Sequence, residues 1–242
     1  MKEIPVGHGG KVGTGGEESR RRGRQRRLVG RASCGSGFSP TLSVHMPRAA
    51  FGPDFYRRFY FDPRTQVTTR AETVSRARTV AALVEHLDLP VRTILDAGCG
   101  VGWMRRPLLR AFPRATYTGI EVSSHTCKRY GWTHASVASY RTRTRFDLVI
   151  CYDVLQYLTD AEAARALSNL GRLCRGALFL HAPTREDWLR NADRSCSDED
   201  IHLRSTDWYR SRLARRFRHV GFGLYVRRSV PLVQWELAKA AQ

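Results

Sequence analysis

Apolar residues between Ala71 and Leu87 recur at helical spacing, at Val74, Ala77, Ala81, Leu83, Val84 and Leu87, until Pro90 ends the pattern. The period then changes. Val91 to Ala97 reads as a short apolar strand, Trp103 to Phe112 as a helix, Thr116 to Glu121 as a second strand and Ser123 to Tyr130 as a second helix. A third short strand near Trp132 to Val137 precedes a strand from Phe146 to Cys151, a helical stretch to about Cys174 and a strand from Gly176 to Leu180. Repeated strand-helix order predicts a parallel sheet with right-handed crossovers. Near the C-terminus, a helix around Trp208 to Phe217 is followed by Val220 to Val226 and Leu232 to Leu237, which read as an antiparallel hairpin.

The N-terminal region lacks such periodicity. Met1 to His45 is rich in Gly, Arg and Ser, contains the basic run Arg20 to Arg27, and is expected to stay disordered because it has little apolar surface to offset ordering entropy. It reads as an RNA-binding or membrane-surface arm, a solvated tail, or an upstream extension of a chain starting at Met46. The expected organisation is therefore a tail over 1–45, a helical lid segment over 46–90 that opens with the aromatic-dense stretch Phe51 to Phe61, and a main domain over 91–242.

Charge changes this picture little. The formal net charge of +19 suggests a polyanionic partner, yet only four of the 41 basic residues are lysines, a skew that a GC-rich genome also produces. A nucleic-acid partner is weakly supported. No apolar run reaches the roughly 20 residues of a membrane helix, so a cytoplasmic protein without a membrane association is expected. The six cysteines are scattered, with no CxxC pair or Cys/His cluster, which implies reduced thiols and no metal site.

Chemistry concentrates after the first strand. Ile94-Leu95-Asp96-Ala97-Gly98-Cys99-Gly100-Val101-Gly102 ends a strand in an acidic residue and three glycines directly before a helix. Glycine lets the backbone turn sharply and approach a ligand at the carboxyl ends of parallel strands. The second strand ends in Glu121, a carboxylate placed to accept hydrogen bonds from both ribose hydroxyls. Cys99 fits the turn as a small residue rather than as a nucleophile.

In these features the sequence resembles the class I S-adenosylmethionine (SAM) dependent methyltransferases, from about Val91 to Leu237. The resemblance implies a Rossmann-like α/β fold: a seven-stranded, mostly parallel sheet with a C-terminal antiparallel hairpin and helices on both faces. It implies SAM as cofactor, with Asp96 orienting the turn or reaching the cofactor's amino group, Gly98 and Gly100 passing its amino-acid portion, and Glu121 holding the ribose. Ser136 and Val137 stand where the family contacts adenine, with Ser136 departing from the usual acidic residue. Tyr152, directly after the strand from Phe146 to Cys151, is assigned to the cofactor site as well. Gln156-Tyr157-Leu158 occupies the place of a frequent Glu-His-Leu, and Tyr157 is assigned to packing.

The acceptor side is less patterned. His181 to Trp188, with Asn191, Asp193 and Asp198 to Arg204, follows a strand where substrate loops sit in this architecture, and mixes His, Asp, Trp and Arg. If a base is used, His202 or His181 is the candidate, with Asp198 or Asp187 as orienting partner. Phe55, Tyr56 and Tyr60 are expected to close over the cofactor. The expected function is methyl transfer to a small molecule. An RNA or protein methyltransferase docking through Arg141, Arg143 and Arg145, and a non-catalytic SAM-binding homologue, are the alternatives. A dinucleotide oxidoreductase is disfavoured by GxGxG spacing and by the lack of a second mononucleotide-binding half.

Overall fold

The computed structural model of the chain describes residues 51–194 and 197–232. Seven strands form one sheet: β1 (Thr93–Ala97), β2 (Thr116–Glu121), β3 (Thr133–His134), β4 (Phe146–Tyr152), β5 (Cys174–His181), β6 (Phe217–Gly221) and β7 (Leu224–Arg227). Their order is β3-β2-β1-β4-β5-β7-β6; the first five run parallel, and β7 is antiparallel to both β5 and β6. The helices are α1 (Pro53–Tyr56), α2 (Arg70–His86), α3 (Arg105–Ala111), α4 (Ser124–Tyr130), α5 (Asp160–Leu173), α6 (Arg185–Arg190) and α7 (Thr206–Leu213).

Central strands are apolar on both faces, as a sheet covered on both sides requires. Alternate residues feed two separate cores. Leu95, Val149, Cys151, Leu178 and Leu180 pack with Leu167, Leu170 and Leu173 of α5 and Leu213 of α7. Ile94, Leu148, Ile150, Ala177 and Phe179 pack on the other side with Ala77, Val80, Ala81 and Val84 of α2 and Leu108 of α3. The segment before Pro90 thus helps build the main core.

Local chemistry starts and stops these helices. Thr69 and Glu72 close a capping box on α2, Thr159 and Glu162 do the same for α5, and Thr184 with Asp187 for α6. Pro107 lies in the first turn of α3, where its missing N–H removes no helical bond. Gly131 ends α4 in the left-handed conformation.

Three expectations need correction. The hairpin is formed by β6 and β7, so Val220 to Val226 is not one strand: Gly221, Phe222 and Gly223 all take positive φ and reverse the chain, leaving Phe222 80% exposed at the tip. The remainder of the expected Leu232 to Leu237 strand, beyond Leu232, lies outside the described residues. The last helix stops at Leu213, and Phe217 begins β6 instead, with its ring buried against the α5 side. The third strand shrinks to Thr133–His134, because after Ala135 donates to the Glu121 carbonyl the chain turns at Ser136. The expectation for residues 1–45 also lies outside the described residues.

Candidate active site

The glycine turn is built by the β1–β2 register. Asp96 lies opposite Gly119 and Ala97 opposite Ile120, and the Gly98 and Cys99 amides both donate to the Ile120 carbonyl, at 2.8 and 3.1 Å. Gly98 has φ 84°, and a β-carbon there would stand 2.3 Å from Val154 Cγ2. Trp132, which the sequence reading passed over, supports the turn from behind. Its Nε1 donates to the Gly100 carbonyl at 2.9 Å, while its ring occupies the space that β-carbons on Gly102 and Gly119 would need. Cys99 is buried and its thiol is pushed well above its ordinary value by desolvation and by Asp96 and Glu121, so it stays protonated.

Two acids flank the turn. Asp96 is 4% exposed; its carboxyl is raised to about 7, mainly by desolvation and also by the Glu121 charge, despite a 2.5 Å hydrogen bond from the Tyr117 hydroxyl. Glu121 instead accepts three backbone bonds: Gly100 N at 2.9 Å on Oε2, and Val122 N and Ser123 N at 2.7 and 3.0 Å on Oε1. A carboxylate offers about four lone-pair positions, so about one remains, on Oε2. That suits one ligand hydroxyl rather than the expected two.

Both acids line a cavity of about 390 Å³ at the carboxyl ends of the parallel strands. Gly98, Ser136, Val137 and Tyr152 also line it, whereas Gly100 does not. Ser136 Oγ accepts from Ala138 N at 3.3 Å, and the Val137 carbonyl accepts from Asn169 Nδ2 at 2.8 Å. The Tyr152 hydroxyl is bonded by the Arg76 guanidinium, which also lies over the Tyr152 ring at 4.6 Å. The lid residues Phe55, Tyr56 and Tyr60 line the cavity from the α1 side, with Tyr60 near Trp103 and Phe51 edge-on to Tyr157. Ser123 Oγ fastens this segment by donating to the Phe51 carbonyl at 2.6 Å.

The other half of the cavity is assembled from β4, β5 and the loop after them. Tyr152 pairs with His181, and one residue further Asp153 takes φ 55°, a left-handed conformation that Asp tolerates better than most residues. His181 Nδ1 lies 2.6 Å from Asp153 Oδ1. The carboxylate bonded to His181 is therefore Asp153, which the sequence reading did not single out, rather than Asp198 or Asp187. A hydrogen bond from Nδ1–H to the carboxylate leaves the lone pair on Nε2, the arrangement of an oriented base.

Asp198 lines the same cavity and interacts with the Tyr157 hydroxyl; its carboxyl is raised, first by burial and also by Asp200. His202 does not join them. It is exposed and does not line the cavity, and its backbone amide donates to the Gln156 carbonyl at 2.7 Å. Gln156 is 5% exposed, lines the cavity, and among the described residues has no donor for its buried Oε1. Arg204, 3% exposed, ties the loop to this turn by donating to the Leu155 carbonyl at 2.9 Å, to the Leu158 carbonyl, and to Asp160 at 2.8 Å.

Sheet order, glycine turn and paired acids define the class I methyltransferase fold. Residues 95–178 match the family described as "Methyltransferase domain". Over 145 residues it is 30% identical to the magnesium-protoporphyrin O-methyltransferase of Synechocystis, covering 53% of this chain and 62% of that protein. Over 108 residues it is 29% identical to a malonyl-[acyl-carrier protein] O-methyltransferase of Anoxybacillus flavithermus, covering 41% of this chain and 42% of that protein. The chain thus spans less than two thirds of either relative. The crystal structure of magnesium protoporphyrin IX methyltransferase from Synechocystis with bound SAM has the same fold, with TM-score 0.51 and 23% identity over 74% of this chain and 94% of that one. Among the described residues no helix is long and apolar enough to cross a membrane.

Proposed function

We propose that this protein is a SAM-dependent methyltransferase that modifies a small-molecule acceptor in the cavity at the carboxyl ends of β1, β4 and β5. The observation that carries the reading is Asp96, a buried carboxyl held among the described residues by Tyr117 alone and raised to about 7, whose ionised form needs a cation. The ammonium of SAM supplies one. Glu121 keeps an acceptor position for a ribose hydroxyl, and the crowding at Gly98 by Val154 keeps the turn narrow against the ligand. Ser136 and Val137 border the adenine end, and Tyr152, steadied by Arg76, borders the passage between the two halves.

When bound, SAM supplies an electrophilic methyl group whose bonding pair remains on sulfur as the acceptor's lone pair takes the carbon. The residues of this chain align the acceptor and move its proton. The His181 Nε2 lone pair accepts that proton while Asp153 holds Nδ1 and stabilises the imidazolium. Closing aromatic residues from α1 exclude water, which strengthens each of these interactions.

Calorimetric titration of the full chain with SAM and S-adenosylhomocysteine (SAH), using NAD and NADP as controls, tests the reading. Saturable one-site binding of the sulfur nucleosides is expected. Binding of the dinucleotides alone, or of none of the four, would overturn it.

A further inference from the structure

We propose that the acceptor is an amine, carried as an ammonium on an apolar body, and that carboxylates are rejected; this rests on reading the cavity as the methyl-transfer site. The two relatives named above are O-methyltransferases, so the proposal departs from them.

The charge of the cavity is opposite to that of the chain. The sequence holds 41 Lys and Arg against 22 Asp and Glu, yet among the described residues no Lys or Arg lines the cavity, while Asp96, Glu121, Asp153, Glu162 and Asp198 do. Asp96 and Glu121 belong to the proposed cofactor half, and Glu162 caps α5. Asp198 remains for the acceptor, and Asp153 adds its charge while bonded to His181. The nearby guanidiniums are turned to other tasks: Arg76 is bonded to the Tyr152 hydroxyl, and Arg58 lies over the Phe59 ring at 4.9 Å, where its charge eases but does not cancel the desolvation of Asp198.

Gln156 also lines the cavity, and its Oε1 is buried without a hydrogen-bond partner among the described residues, so this wall is rich in acceptors. A ligand carboxylate would add another acceptor to it. Phe51, Phe55, Tyr157 and Trp188 form aromatic wall beside these groups. Aromatic faces with nearby carboxylates favour a desolvated ammonium, and the same carboxylates repel an anion in this low-dielectric space. An alcohol satisfies the acceptors but brings no charge.

The base completes the assignment. One ammonium N–H bond breaks, its electron pair stays on nitrogen as the nucleophilic lone pair, and the proton goes to His181 Nε2 and from there to solvent. Atoms and charge balance without another reactant.

The test compares affinities. The full chain is first titrated with SAH, and failure at that step would reject the methyltransferase reading itself. The SAH-saturated protein is then titrated with two matched series, tryptamine, tryptophol and indole-3-acetate, and 2-phenylethylamine, 2-phenylethanol and phenylacetate. Each amine is expected to bind about ten-fold or more tightly than its carboxylate, with the alcohol between, a difference that one charge pair in a partly desolvated site supports. Asp198→Asn, and separately Asp153→Asn, which keeps a residue tolerant of the left-handed backbone, should each narrow that ratio at least about three-fold without changing SAH affinity. Carboxylate binding equal to or tighter than amine binding, no amine binding in either series, or an unchanged ratio in both variants would overturn the proposal.

Discussion

The two halves of the cavity are built in different ways. The proposed cofactor half is made of successive elements of one strand-helix-strand unit: β1 runs into the glycine turn, β2 ends in Glu121, and backbone amides fix the carboxylate. The acceptor half is made of residues far apart in sequence, with Asp153 reaching His181 across neighbouring strand ends and Asp198 reaching Tyr157 from a loop tied down by Arg204. Local construction confers a fixed ligand; dispersed construction allows the specificity to change while the sheet persists.

The strongest separation of the halves comes from Glu121→Ala. It leaves three backbone donors without their acceptor, and at about 1–3 kcal/mol for each buried group should destabilise the fold by roughly 3 kcal/mol or more while abolishing measurable SAH binding. Denaturant unfolding and calorimetry read the two effects. In the acceptor half, His181→Ala should leave SAH affinity within about two-fold but lower the transfer rate to an amine that turns over by about 10²–10⁴, the usual contribution of a general base. Equal losses of binding and rate would place His181 in the wrong half.

A pH series distinguishes Asp96 from the rest. Its folded-state value of about 7 lies above the ordinary carboxylate value of roughly 4, so between those values the unfolded chain binds fewer protons than the folded one. Its contribution to stability is therefore full below about pH 4 and is lost as pH rises to about 7. SAH affinity should move the other way, strengthening as Asp96 ionises to meet the ammonium. Asp96→Asn should flatten both trends, as thermal unfolding and titration across this range would show.

The smallest expected effect is that of Trp132→Phe. It removes the hydrogen bond to the Gly100 carbonyl but keeps most of the ring behind the turn, which should cost about 1 kcal/mol of stability and a few-fold in SAH affinity. A change confined to the acceptor half would contradict the role given to Trp132.

The same difference in construction explains what could be read from the chain. Strand periodicity and turn chemistry are local, so the parallel sheet, α2 and the Asp96-to-Glu121 constellation were legible. The hairpin was misplaced because Gly221-Phe222-Gly223 interrupts what otherwise reads as one apolar run, and only the positive φ at all three residues shows the reversal. Asp153 was missed since nothing nearby in sequence signals its partner. The pairing of Tyr152 with His181 brings the two together, and that register is a tertiary fact. Trp132 and Gln156 carry no motif either; their roles come from a glycine turn and a cavity wall that form only when the sheet closes. Conversely, His202 had a plausible composition around it but lies outside the cavity. Of the arginines first considered for docking a macromolecule, Arg141 is bonded to the Tyr140 carbonyl and to Asn169, which gives it a structural task.

The most direct measurement is a crystal structure of the full chain with SAH and tryptamine bound together. The account predicts the SAH ammonium at Asp96, a ribose hydroxyl at Glu121 Oε2, and the tryptamine nitrogen between the SAH sulfur and His181 Nε2. SAH bound with its ribose away from Glu121, or an amine bound outside the cavity, would contradict the division of the site into these two halves.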